Sequence, residues 1–403
     1  MAESWIFGAN DPVLGFGLNH LPFTAFIDPT SGRRRLAVGI GACLLDLVAA
    51  EDVAEFPSTM DELMGKGPEA WAALRSNLQF LLSRENKDRK VLEAALVPIA
   101  GTQLENPCAI RNYTDFYASR NHALRVGEMF RPDKPLVENY DWVPIAYHGR
   151  ASSVVSSPAA VRRPRGQMRG EDMPRFGATE WLDYELELGY FVGVGNELGK
   201  PVSVAGADQG IFGVSLLNDW SARDIQSWEY QPLGPFLGKN FCTSVSPWVT
   251  PMAALEAFRC APVAHNGGTL EYLEDAGQGV SLKLEVRLST LKSRFAHLTD
   301  FRISNTDSGG LYWTPAQMVA HHTSNGCNLL AGDLLGSGMI SGATREEAGC
   351  LLELTALSPL TLPNGETRRF LEDGDEVTLV GWAEAAGEMP VRLGECRGRI
   401  IST

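Results

Sequence analysis

The stretch Asp183-Tyr184-Glu185-Leu186-Glu187-Leu188-Gly189-Tyr190-Phe191-Val192 has the clearest β-strand pattern in the chain. Side chains alternate between the two faces of a strand, so Leu186 and Leu188 share one face. Glu185 and Glu187 then share the other face, about 7 Å apart. The aromatic and aliphatic residues around them favour a central, buried strand.

Two carboxylates on one buried face repel each other and need a cation between them. A divalent metal ion with oxygen ligands meets this need. The alternative is that both side chains lie in solvent, as many such pairs do. The apolar sequence on either side favours the metal site.

This strand is predicted over residues 183–194, and further strands are predicted over residues 211–217, 281–289 and 376–383, separated by Gly, Pro, Asn and Asp. From about residue 107 onward the chain is therefore predicted to be mostly β. One helix is indicated in this region, with Thr314 as N-cap, Pro315 at the first position and Gln317 completing a capping box. It is expected to end near Ser324, before Asn325-Gly326.

The first part of the chain combines short strands with helices predicted over residues 61–80 and 85–96, where apolar spacing is near 3.6. A loop is expected at 65–68, where Gly and Pro occur. With 403 residues and about 150 residues per domain, two to three domains are expected. We predict a smaller N-terminal domain over 1–106 and a larger one over 107–403.

The charge balance is acidic: 35 Lys and Arg against 49 Asp and Glu give a net charge of −14. Such a chain is a poor general partner for nucleic acid or anionic membranes. Residues 1–5 have neither the basic nor the apolar segment of a signal peptide. No apolar run reaches the roughly 18 residues of a membrane span. Seven scattered cysteines without a CxxC motif predict reduced thiols and a cytoplasmic protein.

A second acidic position, Asp219, follows the predicted strand 211–217. Ser221 and Asp224 have the spacing of a capping box and predict the start of a short helix. A carboxylate between a strand and a helix is well placed to bind a ligand, although a turn or cap role is the alternative.

The segment that follows predicts a rigid loop. Gln226 and Tyr230 are four residues apart and would share one helical face. Two prolines and two glycines at 232–238 then lead to Lys239. This arrangement favours a lysine presented to an active site, and an ordinary surface lysine is the alternative.

A third cluster lies at residues 111–122. Asp115 and His122 are seven residues apart and would share a face if this segment were helical. A histidine near carboxylates and a metal ion is a candidate general base near neutral pH, although a structural histidine is the commoner case. Tyr117 and Arg131 add a phenol and a guanidinium nearby.

A basic run consists of Arg150, Arg162, Arg163, Arg165 and Arg169. The acidic net charge and the lack of interleaved aromatic residues disfavour a nucleic-acid patch. A solvated loop, or a loop that covers an anionic substrate, is the preferred interpretation.

Taken in order, these segments resemble the fumarylacetoacetase family. The resemblance rests on these stretches: Tyr113-Thr114-Asp115-Phe116-Tyr117, Tyr147-His148-Gly149-Arg150-Ala151-Ser152-Ser153, Asp219-Trp220-Ser221-Ala222-Arg223-Asp224-Ile225-Gln226, Pro232-Leu233-Gly234-Pro235-Phe236-Leu237-Gly238-Lys239, Gly326-Cys327-Asn328-Leu329 and residues 337–342. It is specific from about 111 to 395 and weaker at Asn19-His20-Leu21-Pro22-Phe23.

The resemblance implies a mainly β protein, with a small N-terminal SH3-like barrel domain and a large C-terminal β-roll catalytic domain, associated as a homodimer. It also implies hydrolysis of the carbon–carbon bond of 4-fumarylacetoacetate, a small dianion, to fumarate and acetoacetate. That reaction is the last step of tyrosine and phenylalanine degradation.

The resemblance further implies roles for individual residues. The calcium ligands would be Asp115, Glu185, Glu187 and Asp219, with a possible second ion, magnesium, near Asp219, Lys239 and Thr243. His122 would be the general base and Glu353 the carboxylate that orients it. The group stabilising the oxyanion would be Arg223, Gln226 and Lys239. The substrate-binding positions would be Tyr117, Arg131, Tyr147, Gln226 and Tyr230.

Two residues depart from the family pattern. Met339 occupies a position where animal members carry a substrate-contacting Thr, and Met cannot donate a hydroxyl hydrogen bond. Cys242 replaces a Gly beside Thr243. The alternatives are a related acylpyruvate or other β-diketone hydrolase, a 2-oxo acid decarboxylase of the same superfamily, a binding protein that kept the fold, and a nucleic-acid binder.

Overall fold

The computed structural model describes residues 3–11, 13, 15–87, 89–265, 267–274 and 277–403. Residues 1 and 2 of the segment checked for a signal peptide lie outside this range. The elements of the first part are β1 (Phe23–Ile27), β2 (Arg34–Ile40), β3 (Cys43–Asp46), α1 (Met60–Gly65), α2 (Pro68–Leu81), α3 (Lys90–Ala94), β4 (Leu96–Pro98) and β5 (Leu104–Glu105). The strands form one antiparallel sheet in the order β4-β3-β2-β1-β5.

The helices of this part differ from the sequence prediction. The predicted helix 61–80 is divided into α1 and α2, because Gly67 has a positive φ of 82° and Pro68 begins α2. This break confirms the expected loop at 65–68. The predicted helix 85–96 is shorter, since α3 covers Lys90–Ala94 and residue 96 already belongs to β4. Residue 88 of that prediction lies outside the described residues.

The elements of the larger part follow in chain order. They are β6 (Tyr113–Phe116), α4 (Arg120–Phe130), β7 (Ala146–Gly149), β8 (Val154–Ser156), β9 (Ala159–Arg162), β10 (Arg165–Met168), β11 (Arg175–Ala178), β12 (Leu182–Asp183), β13 (Leu186–Val192), α5 (Val204–Gly210), β14 (Ile211–Asp219), β15 (Ser221–Ala222), α6 (Arg223–Glu229), β16 (Thr243–Val245), β17 (Thr250–Pro251), β18 (Arg259–Cys260), β19 (Gly279–Val280), β20 (Lys283–Ser289), α7 (Leu291–Phe295), β21 (Phe301–Asp307), α8 (Pro315–Thr323), β22 (Leu334–Gly336), α9 (Leu351–Leu354), β23 (Leu360–Thr361), β24 (Thr367–Arg368), β25 (Glu376–Ala383) and β26 (Val391–Ile401).

These strands confirm that the larger part is mostly β. The strand predicted over 376–383 is β25, and the strand predicted over 211–217 continues to Asp219 in β14. The strand predicted over 281–289 begins at Lys283 in β20. The predicted capped helix is α8, in which Thr314 accepts from the Gln317 N–H and Gln317 completes the capping box. Among the described residues, none of the helices is long and apolar enough to cross a bilayer.

Two sheets enclose the main hydrophobic core. The central sheet has the order β7-β6-β22-β13-β14-β16-β8, with β17 paired to β14, and the second has the order β21-β20-β25-β26-β9. Leu186, Leu188 and Leu216 of the central sheet belong to the same buried cluster as Leu284 and Leu379 of the second sheet. Both sheets are thereby fixed along β13 and β14, the strands that lead to the acidic residues.

The N-terminal part covers the other face of the central sheet. Leu21, Phe23 and Val38 share a buried cluster with Phe191 and Phe212 of β13 and β14. The apolar surface of the small sheet is therefore buried against the large part, which stabilises both. This covered face is also the face from which the acidic side chains project.

The long predicted strand 183–194 is interrupted. β12 ends at Asp183 and β13 begins at Leu186, so Glu185 lies between two strands rather than within one. The Glu185 N–H donates to Asn218 Oδ1 at 3.0 Å instead of joining the backbone ladder. The strand prediction was therefore wrong at this point, although both carboxylates do reach one site.

Candidate active site

Four buried carboxylates meet at one point on the central sheet. Asp115, Glu185, Glu187 and Asp219 each offer an oxygen, and these oxygens all lie within 4.8 Å of one another. They come from β6, from the break before β13, from β13 and from the end of β14. Residues separated by more than 100 positions in sequence thus form one acidic cluster.

Strand alternation explains why the cluster lies beside the N-terminal core. Tyr113 and Leu217 pack into the cluster of apolar residues that the N-terminal part covers. Two residues further along the same strands, on the same face, come Asp115 and Asp219. The acidic site is therefore the polar continuation of this apolar face.

The donors fit a divalent metal ion. Neither carboxylate oxygen of Glu187 has a hydrogen-bond partner, although both are buried. The hydroxyl of Tyr113 is also buried without a partner. A Cβ at Gly336 would lie 2.4 Å from Asp115 Oδ1 and 3.0 Å from Glu187 Oε2, so only a glycine leaves this space open. Orphaned acceptors around an open space are what a hard cation with oxygen ligands requires.

Lys239 lies between two of the carboxylates. Its Nζ donates to Glu185 Oε2 and, at 2.8 Å, to Asp219 Oδ2. Asp219 also accepts from Thr243 Oγ1 at 2.7 Å and from the hydroxyl of Tyr147 at 2.5 Å. Thr243 lies on β16, and the neighbouring Cys242, where the resemblance implies a glycine, is buried in the core.

Arg223 extends the cluster toward the second half of the site. Its Nη1 donates to Glu185 Oε1 at 2.7 Å and its Nε to Asp183 Oδ2 at 3.1 Å. Its Nη2 lies 3.5 Å from the sulfur of Met339. Asp183 also accepts the N–H groups of Leu351 and Leu352, at 2.8 and 3.0 Å, and so holds the start of α9.

The electrostatics divide the carboxylates into two groups. Burial, with the neighbouring carboxylates adding to it, raises the pKa values of Asp115 and Glu187 well above their usual range. Burial also acts to raise the pKa of Glu185, but Lys239 and Arg223 outweigh it and lower that pKa to about 2. Glu185 is therefore a permanent anion, whereas the other two need a bound cation to stay ionised together.

The second half of the site is a histidine–carboxylate pair. His122 Nδ1 lies 2.5 Å from Glu353 Oε1, and both side chains are buried. Ser341 Oγ donates to the same Glu353 oxygen at 2.8 Å. Burial favours the protonated acid, but His122 and Arg125 outweigh it and lower the pKa of Glu353. An Nδ1–H donor to this carboxylate leaves Nε2 of His122 free to accept a proton.

Tyr117 connects the two halves. Its ring packs edge-on against His122, with centroids 5.0 Å apart. Burial, and then the charge of Glu353, raise the pKa of Tyr117, with smaller opposing effects of Arg131 and Arg223. The phenol therefore stays protonated and can donate to an anionic ligand.

The other candidate residues line the approaches. Gln226 lies in the first turn of α6, and its Oε1 is buried without a partner. Tyr230 follows as the C-cap of α6 and is largely exposed. Arg131 is the C-cap of α4 and donates to Pro135 O at 3.1 Å. The structure brings the metal, base and oxyanion candidates together, and leaves Tyr230 and Arg131 toward solvent.

Two local predictions were wrong. Asp115 and His122 do not share a helix, because Asp115 lies on β6 and α4 begins only at Arg120 with Ser119 as its cap. Ser221 and Asp224 do not form a capping box. Ser221 instead donates to Glu185 at 2.8 Å, and Asp224 accepts the N–H of Glu180, also at 2.8 Å. The side chains of Ser221 and Asp224 both bond to residues that are distant along the chain.

The sequence interpretation missed Asp183, Arg125 and Ser341, which hold the candidate residues in place. Asp183 is the first residue of the acidic stretch 183–192 and could have been identified as a candidate from the sequence. Arg125 lies three residues after His122, a spacing that places both on one side of a helix. No local pattern marks Ser341 as a partner of Glu353.

Another polar cavity, of about 580 Å³, lies away from the carboxylates. It is lined by Thr114 and His148, whose sequence neighbours Asp115 and Tyr147 face the acidic site. His322 also lines it, with Nε2 3.0 Å from Thr114 Oγ1. On the same helix, His321 Nδ1 lies 2.9 Å from the hydroxyl of Tyr272.

Known proteins match this chain along nearly its whole length. Residues 111–401 match the sequence profile described as fumarylacetoacetate (FAA) hydrolase C-terminal, and residues 19–107 match that described as fumarylacetoacetase N-terminal. The chain belongs to the fumarylacetoacetase family. It is 42% identical over 408 residues to the fumarylacetoacetases of Bos taurus and Homo sapiens, covering 96% of each chain. The fumarylacetoacetase of Dictyostelium discoideum is 38% identical over 413 residues, covering 96% of this chain and 95% of the relative.

The family fold also occurs among solved structures. A fumarylacetoacetate hydrolase from psychrophilic Exiguobacterium antarcticum superposes with a TM-score of 0.54, covering 95% of this chain and 100% of the other. Its sequence is 17% identical, so it supports the fold alone.

Proposed function

We propose that this chain hydrolyses the carbon–carbon bond of 4-fumarylacetoacetate, giving fumarate and acetoacetate at the end of tyrosine and phenylalanine degradation. The chain is a hydrolase acting on carbon–carbon bonds, as its full-length relatives are. The observation that carries the proposal is the four-carboxylate cluster joined through Arg223 and Tyr117 to a buried His122–Glu353 pair.

The cluster is proposed to hold one divalent cation, Ca²⁺ or Mg²⁺. The ligands would be Asp115, Glu185, Glu187 and Asp219, with a second site possible near Asp219, Lys239 and Thr243. Four carboxylates and one divalent ion sum to −4 + 2 = −2. Asp183, which also pairs with Arg223, makes this −3. The nearby Lys239, Arg223 and Arg131 bring the sum to zero, so a substrate with two carboxylates can enter.

From these charges and contacts we propose the steps of the reaction. His122, oriented by Glu353, takes a proton from water through Nε2 as the water oxygen bonds to the carbonyl carbon on the fumaryl side. Arg223, Gln226 and Lys239 stabilise the oxyanion that forms. A bound cation supplies Lewis acidity toward the diketone oxygens. The carbon–carbon bond then breaks, and the acetoacetate fragment leaves as an enolate that takes up a proton.

Substrate recognition is proposed for five side chains around this centre. They are Tyr117, Arg131, Tyr147, Gln226 and Tyr230. Tyr117 and Tyr147 are supported by their contacts with His122 and Asp219, and Gln226 by its unpartnered Oε1. Arg131 and Tyr230, the C-cap residues of α4 and α6, are proposed to bind the outer carboxylate of the substrate.

We further propose a cytoplasmic homodimer with an SH3-like barrel domain over 1–106 and a β-roll catalytic domain over 107–403. Exposed apolar side chains near α6 support the dimer, among them Phe176, Trp228, Leu233 and Phe236. All seven cysteines are free, which fits a reducing compartment.

The test is the loss of diketone absorbance of fumarylacetoacetate when pure protein is added, with and without EDTA. Rapid loss that requires metal and is reduced by about 10²- to 10⁴-fold in His122→Ala would support the proposal. His297→Ala, which changes an exposed histidine on the surface, serves as the matched control and should keep full activity.

No turnover by metal-replete wild type would refute the substrate assignment. Acylpyruvates would then be tested as substrates. Met339, which stands beside Arg223 where animal members carry a Thr, is the observation that favours a different diketone substrate.

A further inference from the structure

Arg125 makes a set of contacts that the reaction described above does not use. It lies on α4 one turn after His122, and its Nη1 donates to Glu353 Oε2. Its Nη2 donates to the carbonyl oxygens of Gly342 and Thr344, at 2.9 and 3.0 Å. One guanidinium thus joins the carboxylate partner of the proposed base to the loop at 338–344.

The carboxylate of Glu353 pairs directly with this cation. Its side chain is fully buried, and its other direct partners are the His122 ring, the Ser341 hydroxyl at 2.8 Å and the Cys350 thiol at 3.6 Å. The last two are neutral donors. Among the described residues, Arg125 supplies the direct ion pair to Glu353 from a permanently charged group. Without such a charge a buried carboxyl group takes up a proton.

The same guanidinium also fixes the loop. Ser341, which donates to Glu353, and Met339, which contacts Arg223, both lie on the segment whose carbonyl oxygens Arg125 binds. The N–H donors of a guanidinium group lie in one rigid plane and can bind a carboxylate and two carbonyl groups at the same time. The ammonium group of a lysine cannot reproduce this geometry.

We infer that Arg125 is a positioning residue that keeps Glu353 ionised and aimed at His122 while it fastens the 338–344 loop to the site. The inference rests on the proposed function, because it assumes that His122 is the general base. Arg125 itself contacts neither of the groups proposed to react.

The first test compares pH–rate profiles of wild type, Arg125→Met, Arg125→Lys and Arg120→Met. Arg120 lies on the same helix and pairs with Asp141 at 3.0 Å, so it is a matched control. In Arg125→Met, kcat at neutral pH should fall about 10- to 100-fold with KM changed much less. The acid limb should move to higher pH, because Glu353 without its cation is protonated more easily. The other titratable groups near Glu353 are Tyr117, Tyr184 and Cys350.

Arg125→Lys should restore the pH of the acid limb but only part of kcat. The lysine supplies the positive charge, but it lacks the planar N–H donors of the guanidinium group. Arg120→Met should behave as wild type. An unshifted acid limb in Arg125→Met, with folding intact by circular dichroism, would overturn the inference.

A second readout is independent of turnover. Long-range ¹H–¹⁵N spectra of the histidine rings should show His122 with its proton on Nδ1 in wild type. In Arg125→Met this state should be lost at a higher pH than in wild type. The same His122 signal in both proteins at every pH would contradict the inference. If wild type were inactive while the spectra changed as expected, the proposed function would fail and the link between Arg125 and Glu353 would stand.

Discussion

At the residue scale, Met339 is the departure that bears most directly on substrate choice. Its sulfur lies 3.5 Å from Arg223 Nη2, inside the buried network that holds Glu185. The sequence identified this position as unusual. The structure adds that Met339 contacts the guanidinium proposed to stabilise the oxyanion.

Met339→Thr should improve binding of fumarylacetoacetate, because a hydroxyl can donate to a substrate oxygen where a thioether cannot. A net hydrogen bond of about 0.5–1.5 kcal/mol corresponds to a KM roughly 2- to 10-fold lower. Steady-state kinetics would measure this, with Met339→Leu as a control that keeps the volume and lacks the hydroxyl. A KM that is equal in the Thr and Leu variants would show that no substrate contact is gained.

At the element scale, the site depends on strands of the central sheet that bring the carboxylate side chains together on one face of that sheet. β22 contributes Gly336, which pairs with Asp115 of β6. The missing side chain is required, because a Cβ there would enter the space between Asp115 and Glu187.

Gly336→Ala should therefore weaken binding of Ca²⁺ or Mg²⁺ about tenfold or more, since it displaces two proposed ligands. Isothermal titration calorimetry on metal-free protein would measure the affinity. Gly177→Ala on β11 is the control, because the nearest atom to its added Cβ is the mobile end of Met168 at 3.6 Å. Equal affinity in the wild type and Gly336→Ala would place the metal elsewhere.

At the scale of the whole molecule, stability, pH and metal binding are linked through the buried carboxylates. Burial raises the pKa values of Asp115 and Glu187. In the metal-free protein their contribution to stability is therefore fully present below their unfolded pKa values and is lost as pH rises through the folded ones. Glu185 has the opposite sign. Its pKa is lowered to about 2, so its contribution is lost only when pH falls well below its ordinary value of 4.5.

A bound cation replaces the protons on Asp115 and Glu187, so metal should stabilise the protein more at pH 8 than at pH 5.5. At 100 times Kd the stabilisation is about 2.7 kcal/mol, roughly 3 °C in melting temperature for a chain of this size. Differential scanning calorimetry with and without Ca²⁺ or Mg²⁺ would measure the rise in melting temperature at both pH values. A larger rise at pH 5.5 would contradict the proposed ligand set.

The sequence by itself determined the features that depend on local chemistry. Apolar runs bounded by turn residues indicated β14 and β25, and the Thr314–Gln317 capping box indicated α8. The acidic residues and His122 were visible as candidates in their own segments, and the ordered motifs identified the family and implied their roles. The sequence predicts these features because each one depends on about ten neighbouring residues.

Only the tertiary structure decided how the candidate residues meet and which other residues support them. The spacing of Asp115 and His122 would bring them to one face of a helix, but the chain passes between them from β6 into α4. Asp183, Arg125 and Ser341 gained their roles from partners more than ten positions away along the chain, such as Glu353 for Arg125 and Ser341. The physical reason is that a buried charge takes its partner from whatever the fold packs against it, and sequence spacing does not specify that neighbour.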